Sequence, residues 1–368
     1  MAPSTSSPRL TDAESWAVDH AISLTEVWAL IAAFSGPVGA WWLLGVCRAA
    51  RAGAKECLGS LPRLVVCGGY TYTGAGGRRA VSEAWGLDLA TMRWDTMPGL
   101  LCARYSHACC VVRGTVVVLG GWASGVGGSQ VETLSKGARA FVELPPPSCG
   151  PIYGAAAIAV DETQSALGQV LLLEGRNQND TAISSVRLVD LATGICTPQA
   201  TLHLSARLYF AAARLPDGSI VCAGGGGSST AYMLGAPVQG ALEAAWTLRE
   251  LPAMSVGRIG CSGCVLSDGR FGVLGGLGTG AYTFSYAYTS SCEALTLGAD
   301  KHWSPLPPMH DTRAYFACAA VAGCIIVAGG YPQHKSAEVY NEVLGRWLRL
   351  PHDLPHNGGL DSMGSALL

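Results

Sequence analysis

The sequence predicts an all-β protein over most of its length, and three observations predict it. An apolar, β-branched run that ends in glycine recurs six times between residues 64 and 330. Glycine is abundant, with 48 of 368 residues, as expected for a chain that turns often. Charged residues make up only 14% of the chain, which leaves long apolar segments able to form buried strands.

The repeat itself has a nearly constant length. Its final glycines follow one another at almost even intervals, at Gly69, Gly121, Gly175, Gly225, Gly276 and Gly330. The runs are LVVCGG (64–69), TVVVLGG (115–121), QVLLLEG (169–175), SIVCAGG (219–225), FGVLGG (271–276) and CIIVAGG (324–330). They lack polar alternation, so each is predicted to be a strand buried on both faces. A regular period of this kind indicates an array of similar β units.

Other features keep their order within each repeat. An acid follows the glycines in four repeats, at Glu83, Glu132, Glu293 and Glu338. The segments ahead of the glycine runs carry small side chains, as in SHACC (106–110) and FACAA (316–320), which suits strands that converge on one axis. This pattern resembles the kelch repeat and implies a six-bladed kelch β-propeller over residues 63–368. The final MGSAL (363–367) has no glycine run after it, so we expect it to complete the first blade and remove an exposed edge.

The N-terminal region has a different composition. Residues 1–20 begin with a polar stretch rich in Ser and Pro and are predicted to be disordered. Residues 27–47 carry no charge and are long enough to span a bilayer. Ser35-Gly36-Pro37 interrupts them, because proline breaks a helix. We therefore favour two short amphipathic helices over a membrane span, which stays open as the alternative.

Residues 21–60 resemble an F-box. Leu24-Thr25-Glu26-Val27 is similar to the start of that module, and Leu44-x-Val46-Cys47-Arg48 is similar to its end. Thr25 stands where the family usually has proline. The resemblance implies docking to the Skp-type adaptor of a cullin–RING ubiquitin ligase. The implied adaptor-binding residues are Leu24, Glu26, Val27, Ile31, Phe34, Leu44, Val46 and Cys47.

Four arginines share one position of the repeat, at a nearly constant spacing ahead of the first glycine of the next pair: Arg104, Arg207, Arg258 and Arg313. Equivalent positions of a propeller gather at one rim, so these side chains are predicted to bind carboxylate or phosphate groups. Tyr105, Tyr209 and Tyr315 are predicted to add aromatic contact area. In kelch substrate receptors, arginines at this point of the repeat bind acidic peptide segments. The alternative is structural, with each arginine paired to an acid or a carbonyl group between blades.

Several classes of function lack support in the sequence. The net charge of −2 provides no cationic footprint for nucleic acid. Nucleotide-binding, zinc-protease and serine-hydrolase motifs are absent, and we expect no cofactor and no metal. Many of the 14 cysteines lie in apolar runs, and the cysteines are interpreted as packing residues of a cytoplasmic or nuclear protein.

These observations predict a non-catalytic, protein-binding propeller that acts as a substrate-recognition subunit of a ubiquitin ligase. The partner is expected to present an acidic or phosphorylated segment. The alternatives are a kelch scaffold without a ligase link and a kelch-fold enzyme acting on a sugar or in redox chemistry.

Overall fold

The computed structural model describes residues 11, 17–18, 20–21, 23–72, 77–123, 126–160, 165–173, 175–177, 179, 181, 185–203, 207–237, 246–279, 286–332 and 334–368. The predicted disordered segment, residues 1–20, lies mostly outside this part of the chain. Residues 17–18 and 20, which are described, are helical. The chain divides into two compact units, one of residues 1–61 with 89–91 and one of residues 62–88 with 92–368.

In the first unit, the structure describes the helices α1 (Thr25–Leu43) and α2 (Arg48–Gly59) in full. Helix α1 is kinked at Gly36, whose φ of 67° is not helical and which precedes Pro37, as the sequence predicted. The Cys47 thiol caps α2 by accepting a hydrogen bond from the backbone N–H of Ala50. Gly53 allows the two helices to approach closely, because a Cβ there would lie 2.4 Å from the backbone nitrogen of Ala29. Among the described residues, no helix has the length and apolar character that a bilayer crossing requires.

The second unit contains six four-stranded antiparallel sheets among its described residues, here called sheets 1 to 6. Sheet 1 consists, from first to fourth strand, of Gly364–Leu367, Leu64–Cys67, Ala84–Asp88 and Arg93–Met97. Sheet 2 consists of Ala108–Val112, Thr115–Leu119, Val131–Ser135 and Val142–Leu144. Sheet 3 consists of Ala156–Val160, Gln169–Leu173, Ser185–Asp190 and Cys196–His203.

The other three sheets follow the same order. Sheet 4 consists of Ala211–Arg214, Ile220–Ala223, Ala231–Gly235 and Thr247–Leu251. Sheet 5 consists of Ser262–Val265, Phe271–Leu274, Cys292–Leu295 and Trp303–Leu306, and sheet 6 of Ala317–Val321, Cys324–Ala328, Ala337–Asn341 and Arg346–Arg349. The fold is therefore all-β, with α1 and α2 as the helices described in full, and its sheets are consistent with a propeller.

The six apolar runs of the sequence form the second strands, and their side chains are almost entirely buried, as predicted. The core is divided into clusters that lie between consecutive sheets. First strands of consecutive sheets contact one another from sheet 1 through sheet 6, and the first strand of sheet 6 contacts that of sheet 1. The C-terminal strand pairs with the first glycine run, with Leu64 opposite Leu367 and Cys67 opposite Gly364.

Within the described part of the second unit, loops that connect the larger sheets form three small antiparallel sheets. The first joins Arg78–Ala80, Tyr70–Tyr72 and Leu360–Asp361. The second joins Arg258–Ile259, Leu277–Thr279 and Tyr286–Tyr288, and the third joins Trp122–Ala123 and Val126–Gly127. The first of them positions Tyr70, Tyr72, Arg78 and Asp361 of the candidate site.

Candidate binding site

The four repeat arginines lie inside the protein. Arg104, Arg258 and Arg313 are 0–1% exposed and Arg207 is 3% exposed. In each, Nη1 donates to the carbonyl oxygen of the first glycine of a Gly-Gly pair, at 2.7–3.0 Å. The same nitrogen donates to a carbonyl just ahead of the third strand, at Gln130, Thr230, Ser291 or Ser336. The constant spacing between arginine and glycine in the sequence thus reflects an internal hydrogen bond between the arginine and the turn.

Three of these guanidinium groups also meet a buried carboxylate on the third strand of the same sheet. Arg104 pairs with Glu132, Arg258 with Glu293 and Arg313 with Glu338. These carboxylates are 0–4% exposed. In sheet 4, Tyr232 occupies the position equivalent to these glutamates. The Arg207 guanidinium lies 4.7 Å from the centre of the Tyr232 ring.

The expected arginine-rich surface is therefore corrected. Arg104, Arg207, Arg258 and Arg313 hold turns and third strands together, and their donors face internal acceptors rather than a partner. The sequence did contain the signal for this arrangement, because the acid and the arginine recur in the same repeats. A buried guanidinium that is paired and hydrogen-bonded is a structural element.

The three predicted tyrosines do come together. Tyr105, Tyr209 and Tyr315 line one cavity of about 340 Å³. Four further tyrosines line the same cavity: Tyr70, Tyr72, Tyr288 and Tyr331. Tyr70 and Tyr331 each follow a Gly-Gly pair directly, as Trp122 does in sheet 2, so a repeat-based search for aromatic residues would have found them. We call this feature the tyrosine cavity.

The rings in the tyrosine cavity pack against one another. Tyr70 and Tyr105 have centroids 4.3 Å apart, and Tyr209 and Tyr315 meet edge to face at 5.0 Å. Tyr331 lies between Tyr72 and Tyr288, at 5.8 Å and 5.0 Å. Burial raises the pKa of Tyr105 and of Tyr288 to about 12, so both hydroxyls are protonated near neutral pH. The walls present rigid aromatic surface with neutral polar tips.

Two charged residues line the tyrosine cavity. Arg78 is exposed, and its guanidinium carbon lies 4.2 Å from the ring centre of Tyr72. Asp361 is 7% exposed and accepts a hydrogen bond from the Ser362 hydroxyl at 2.9 Å. Burial raises the pKa of Asp361 to about 6, while the hydrogen bond from Ser362 and the charge of Arg78 lower it. The cavity therefore has one accessible cation and one buried acid.

A ring of six backbone hydrogen bonds borders the tyrosine cavity, and four of its residues line that cavity. Its members, one ahead of each first strand, are Ser106, Gly154, Tyr209, Gly260, Tyr315 and Ser362. Each backbone N–H donates to the carbonyl of the member ahead of the preceding sheet, at 2.8–3.2 Å, and Ser106 donates to Ser362. All six have positive φ values between 53° and 69°. We call this the hydrogen-bonded ring.

Two smaller cavities continue beyond the ring. A cavity of about 120 Å³ shares Ser106, Tyr209, Tyr315 and Ser362 with the tyrosine cavity. The next, of about 230 Å³, is lined mainly by the small side chains of the first strands, as the sequence predicted. His107 lines both, and its buried Nδ1 has no hydrogen-bond partner within the described part of the chain. The tyrosine cavity is therefore the largest of three cavities that follow one another through shared lining residues.

The described residues contain no cluster of three or more His, Cys, Asp or Glu side chains arranged to hold a metal ion. The chemistry available in the tyrosine cavity is aromatic contact, hydrogen bonding from neutral hydroxyls and the charges of Arg78 and Asp361. Its volume falls in the range of sites that take a small molecule or a few side chains of a peptide.

The residues of the predicted adaptor site lie in α1, at its N-cap and in the turn that precedes α2. Phe34 is 90% exposed, Val46 59%, Ile31 39% and Leu24 37%. Glu26 and Cys47 are also exposed, whereas Val27 and Leu44 are half-buried. The first unit thus presents several large apolar side chains to solvent.

Comparison with known proteins identifies the fold and no family. No protein-family model matches the chain, and no curated protein matches it. The solved structure of YjhT, a β-propeller-like kelch protein, matches with a TM-score of 0.57 and 13% sequence identity, covering 74% of this chain and 91% of YjhT. At this identity the likeness shows a shared fold alone.

Proposed function

We propose that residues 63–368 form one closed, six-bladed kelch propeller. Three observations support this: first strands of consecutive sheets contact one another through to the pair of sheets 6 and 1, the C-terminal strand completes sheet 1, and the hydrogen-bonded ring has one member ahead of each first strand. Such closure leaves no unpaired innermost edge.

We further propose that the tyrosine cavity binds a segment of a partner protein without catalysing a reaction. The observation that carries this proposal is the convergence of seven tyrosines with one exposed arginine in a single concave site. Tyrosine and arginine are enriched in the central contacts of protein interfaces. The expected acidic or phosphorylated segment would meet Arg78, the exposed guanidinium of this cavity, in place of the four buried arginines.

The binding proposal can be tested with peptides. We would select binders to the intact chain from a displayed library that includes acidic and phosphorylated peptides. Arg78→Ala should weaken the selected peptides by about tenfold or more, as expected for a central contact. Arg79→Ala is the matched control, because Arg79 alternates to the other face of the same strand and pairs with Thr71. Equal effects of the two changes, or selected peptides that bind elsewhere, would contradict the proposal.

A second function, docking to a Skp-type adaptor, is favoured by the exposed apolar side chains of the first unit. Together with the tyrosine cavity, it would make the chain a substrate-recognition subunit of a cullin–RING ubiquitin ligase in the cytoplasm or nucleus. Phe34 and Val46 carry this proposal, because large apolar groups on a surface mark interaction sites when they lie together.

The adaptor proposal requires a direct measurement with purified components. Titration calorimetry with a recombinant Skp-type adaptor should show binding by the intact chain and a loss of at least tenfold for Val46→Asp. Val343→Asp is the control, because Val343 is 84% exposed in the second unit. No heat of binding for the intact chain would leave a scaffold without a ligase link as the better description.

A further inference from the structure

Two cysteines from different sheets meet at the surface of sheets 2 and 3. Cys149 follows the fourth strand of sheet 2, and Cys196 begins the fourth strand of sheet 3. Ser148 fixes the approach: its N–H donates to the Gly194 carbonyl at 2.8 Å, and its hydroxyl accepts from the N–H of Cys196 at 3.0 Å. The side chains of Cys149 and Cys196 also pack against the same apolar cluster between sheets 2 and 3.

Gly194 makes this close approach possible. It has a φ of 72°, and a Cβ at this position would lie 2.5 Å from the carbonyl oxygen of Pro146. No other residue type would allow the loop before Cys149 to lie so close to the turn before Cys196. The segments that carry the two cysteines are thus held together by backbone contacts on both sides.

The surroundings of Cys149 favour its thiolate. The hydrogen bond from Cys196 and the positive charge of Arg187 lower the pKa of Cys149 to about 6, against the opposing effect of burial. Within the described residues, Nη1 of Arg187 is buried and has no hydrogen-bond partner. Both cysteines are half-buried, whereas Cys67, whose pKa is also lowered to about 6, is fully buried. Cys149 therefore combines an electropositive setting with access to solvent.

We propose that Cys149 and Cys196 form a peroxide-reactive thiol pair, in which Cys149 is the attacking thiol and Cys196 the resolving one. The Cys149 thiolate attacks one oxygen of hydrogen peroxide, so that an S–O bond forms, the O–O bond breaks and hydroxide leaves. The Cys196 sulfur, after losing its proton, then attacks the sulfur of the Cys149 sulfenic acid. An S–S bond forms, the S–O bond breaks and a second hydroxide leaves. The two hydroxides and two protons give two water molecules, and the thiols supply both electrons.

The decisive experiment uses the full chain treated with a small excess of hydrogen peroxide and digested without reductant. Mass spectrometry should find the Cys149–Cys196 disulfide as the main cross-link, reversible by a dithiol reductant. In Cys196→Ser, a sulfenic acid should instead be trapped at Cys149. Cys110→Ser is the control and should leave the disulfide unchanged, because burial raises the pKa of Cys110 to about 12. Cys149 and Cys196 remaining reduced, or a different main cross-link, would overturn the proposal.

Alkylation kinetics test the reactivity of Cys149 separately. At pH 6 we expect iodoacetamide to modify Cys149 about tenfold faster in the folded chain than in the urea-unfolded chain, after allowing for the lower nucleophilicity of a more acidic thiol. Arg187→Met should lower the rate of Cys149 alkylation in the folded chain several-fold. A folded rate no higher than the unfolded one would overturn the assignment of Cys149 as the attacking thiol.

Discussion

Replacing Arg258 by methionine distinguishes a structural arginine from a binding one. Arg258 is 1% exposed and donates to Glu293 at 3.0 Å and 3.3 Å, and to the carbonyls of Gly275 and Ser291 at 2.9 Å. Glu293 is 4% exposed and also accepts two hydrogen bonds from Ser255. The change therefore leaves a buried carboxylate with its cation removed.

The magnitude follows from that uncompensated charge. Removing one partner of a buried ion pair typically costs about 3–5 kcal/mol, and two carbonyl groups also lose a donor. Replacing both partners, as in Arg258→Met with Glu293→Met, leaves neither charge of the pair buried. The double variant should therefore recover a large part of the stability that Arg258→Met loses. We therefore expect the free energy of unfolding to be lowest for the single variant and intermediate for the double variant.

Equilibrium urea unfolding followed by tryptophan fluorescence measures these differences, and the double-mutant cycle isolates the pair. Peptide affinity of the folded fraction should be unchanged in Arg258→Met. A variant within about 0.5 kcal/mol of the parent that loses peptide affinity would refute the structural assignment and restore the arginine as a recognition residue.

Three further predictions concern stability. Asp361→Asn should stabilise the chain by up to about 3 kcal/mol at pH 8 and have little effect near pH 4. The pKa of Asp361 is raised to about 6 in the folded state, so ionisation of the buried carboxyl destabilises the fold as pH rises from 4 to 6. The midpoint of urea unfolding, measured as a function of pH for both proteins, tests this prediction. Gly120→Ala should cost more than Gly114→Ala, measured by urea unfolding, because both have positive φ but only at residue 120 would a Cβ overlap a backbone carbonyl, that of Ile152. Deleting residues 360–368 should lower the melting temperature of the whole second unit, whereas fraying confined to sheet 1 in hydrogen exchange would contradict closure.

The sequence predicted the sheets well and the site only in part, for a physical reason. Apolar runs and glycine pairs recur because each sheet packs against its neighbours in the same way. The periodicity of the sequence therefore predicts the sheets. The same periodicity misled the interpretation of the arginines, since a side chain that recurs at one position of four sheets is more often structural than specific. Arg78 and Asp361 occur once each, and no repeat pattern could identify them. Only the fold shows that they share a site, because the small sheet of Tyr70–Tyr72, Arg78–Ala80 and Leu360–Asp361 brings them to one cavity.

The hydrogen-bonded ring explains how shared and unique features combine in one site. Ser106, Tyr209, Tyr315 and Ser362 adopt a left-handed conformation that is unfavourable for residues with a Cβ, costing on the order of 1 kcal/mol each. Such strain persists only where the surrounding structure imposes it, and here each residue is held by the hydrogen bonds of its neighbours in the ring. The strained geometry directs Tyr209 and Tyr315 against each other at the base of the tyrosine cavity. The repeated backbone of the ring thus supports a site formed by loops that differ in sequence from one sheet to the next, as the proposed binding function requires.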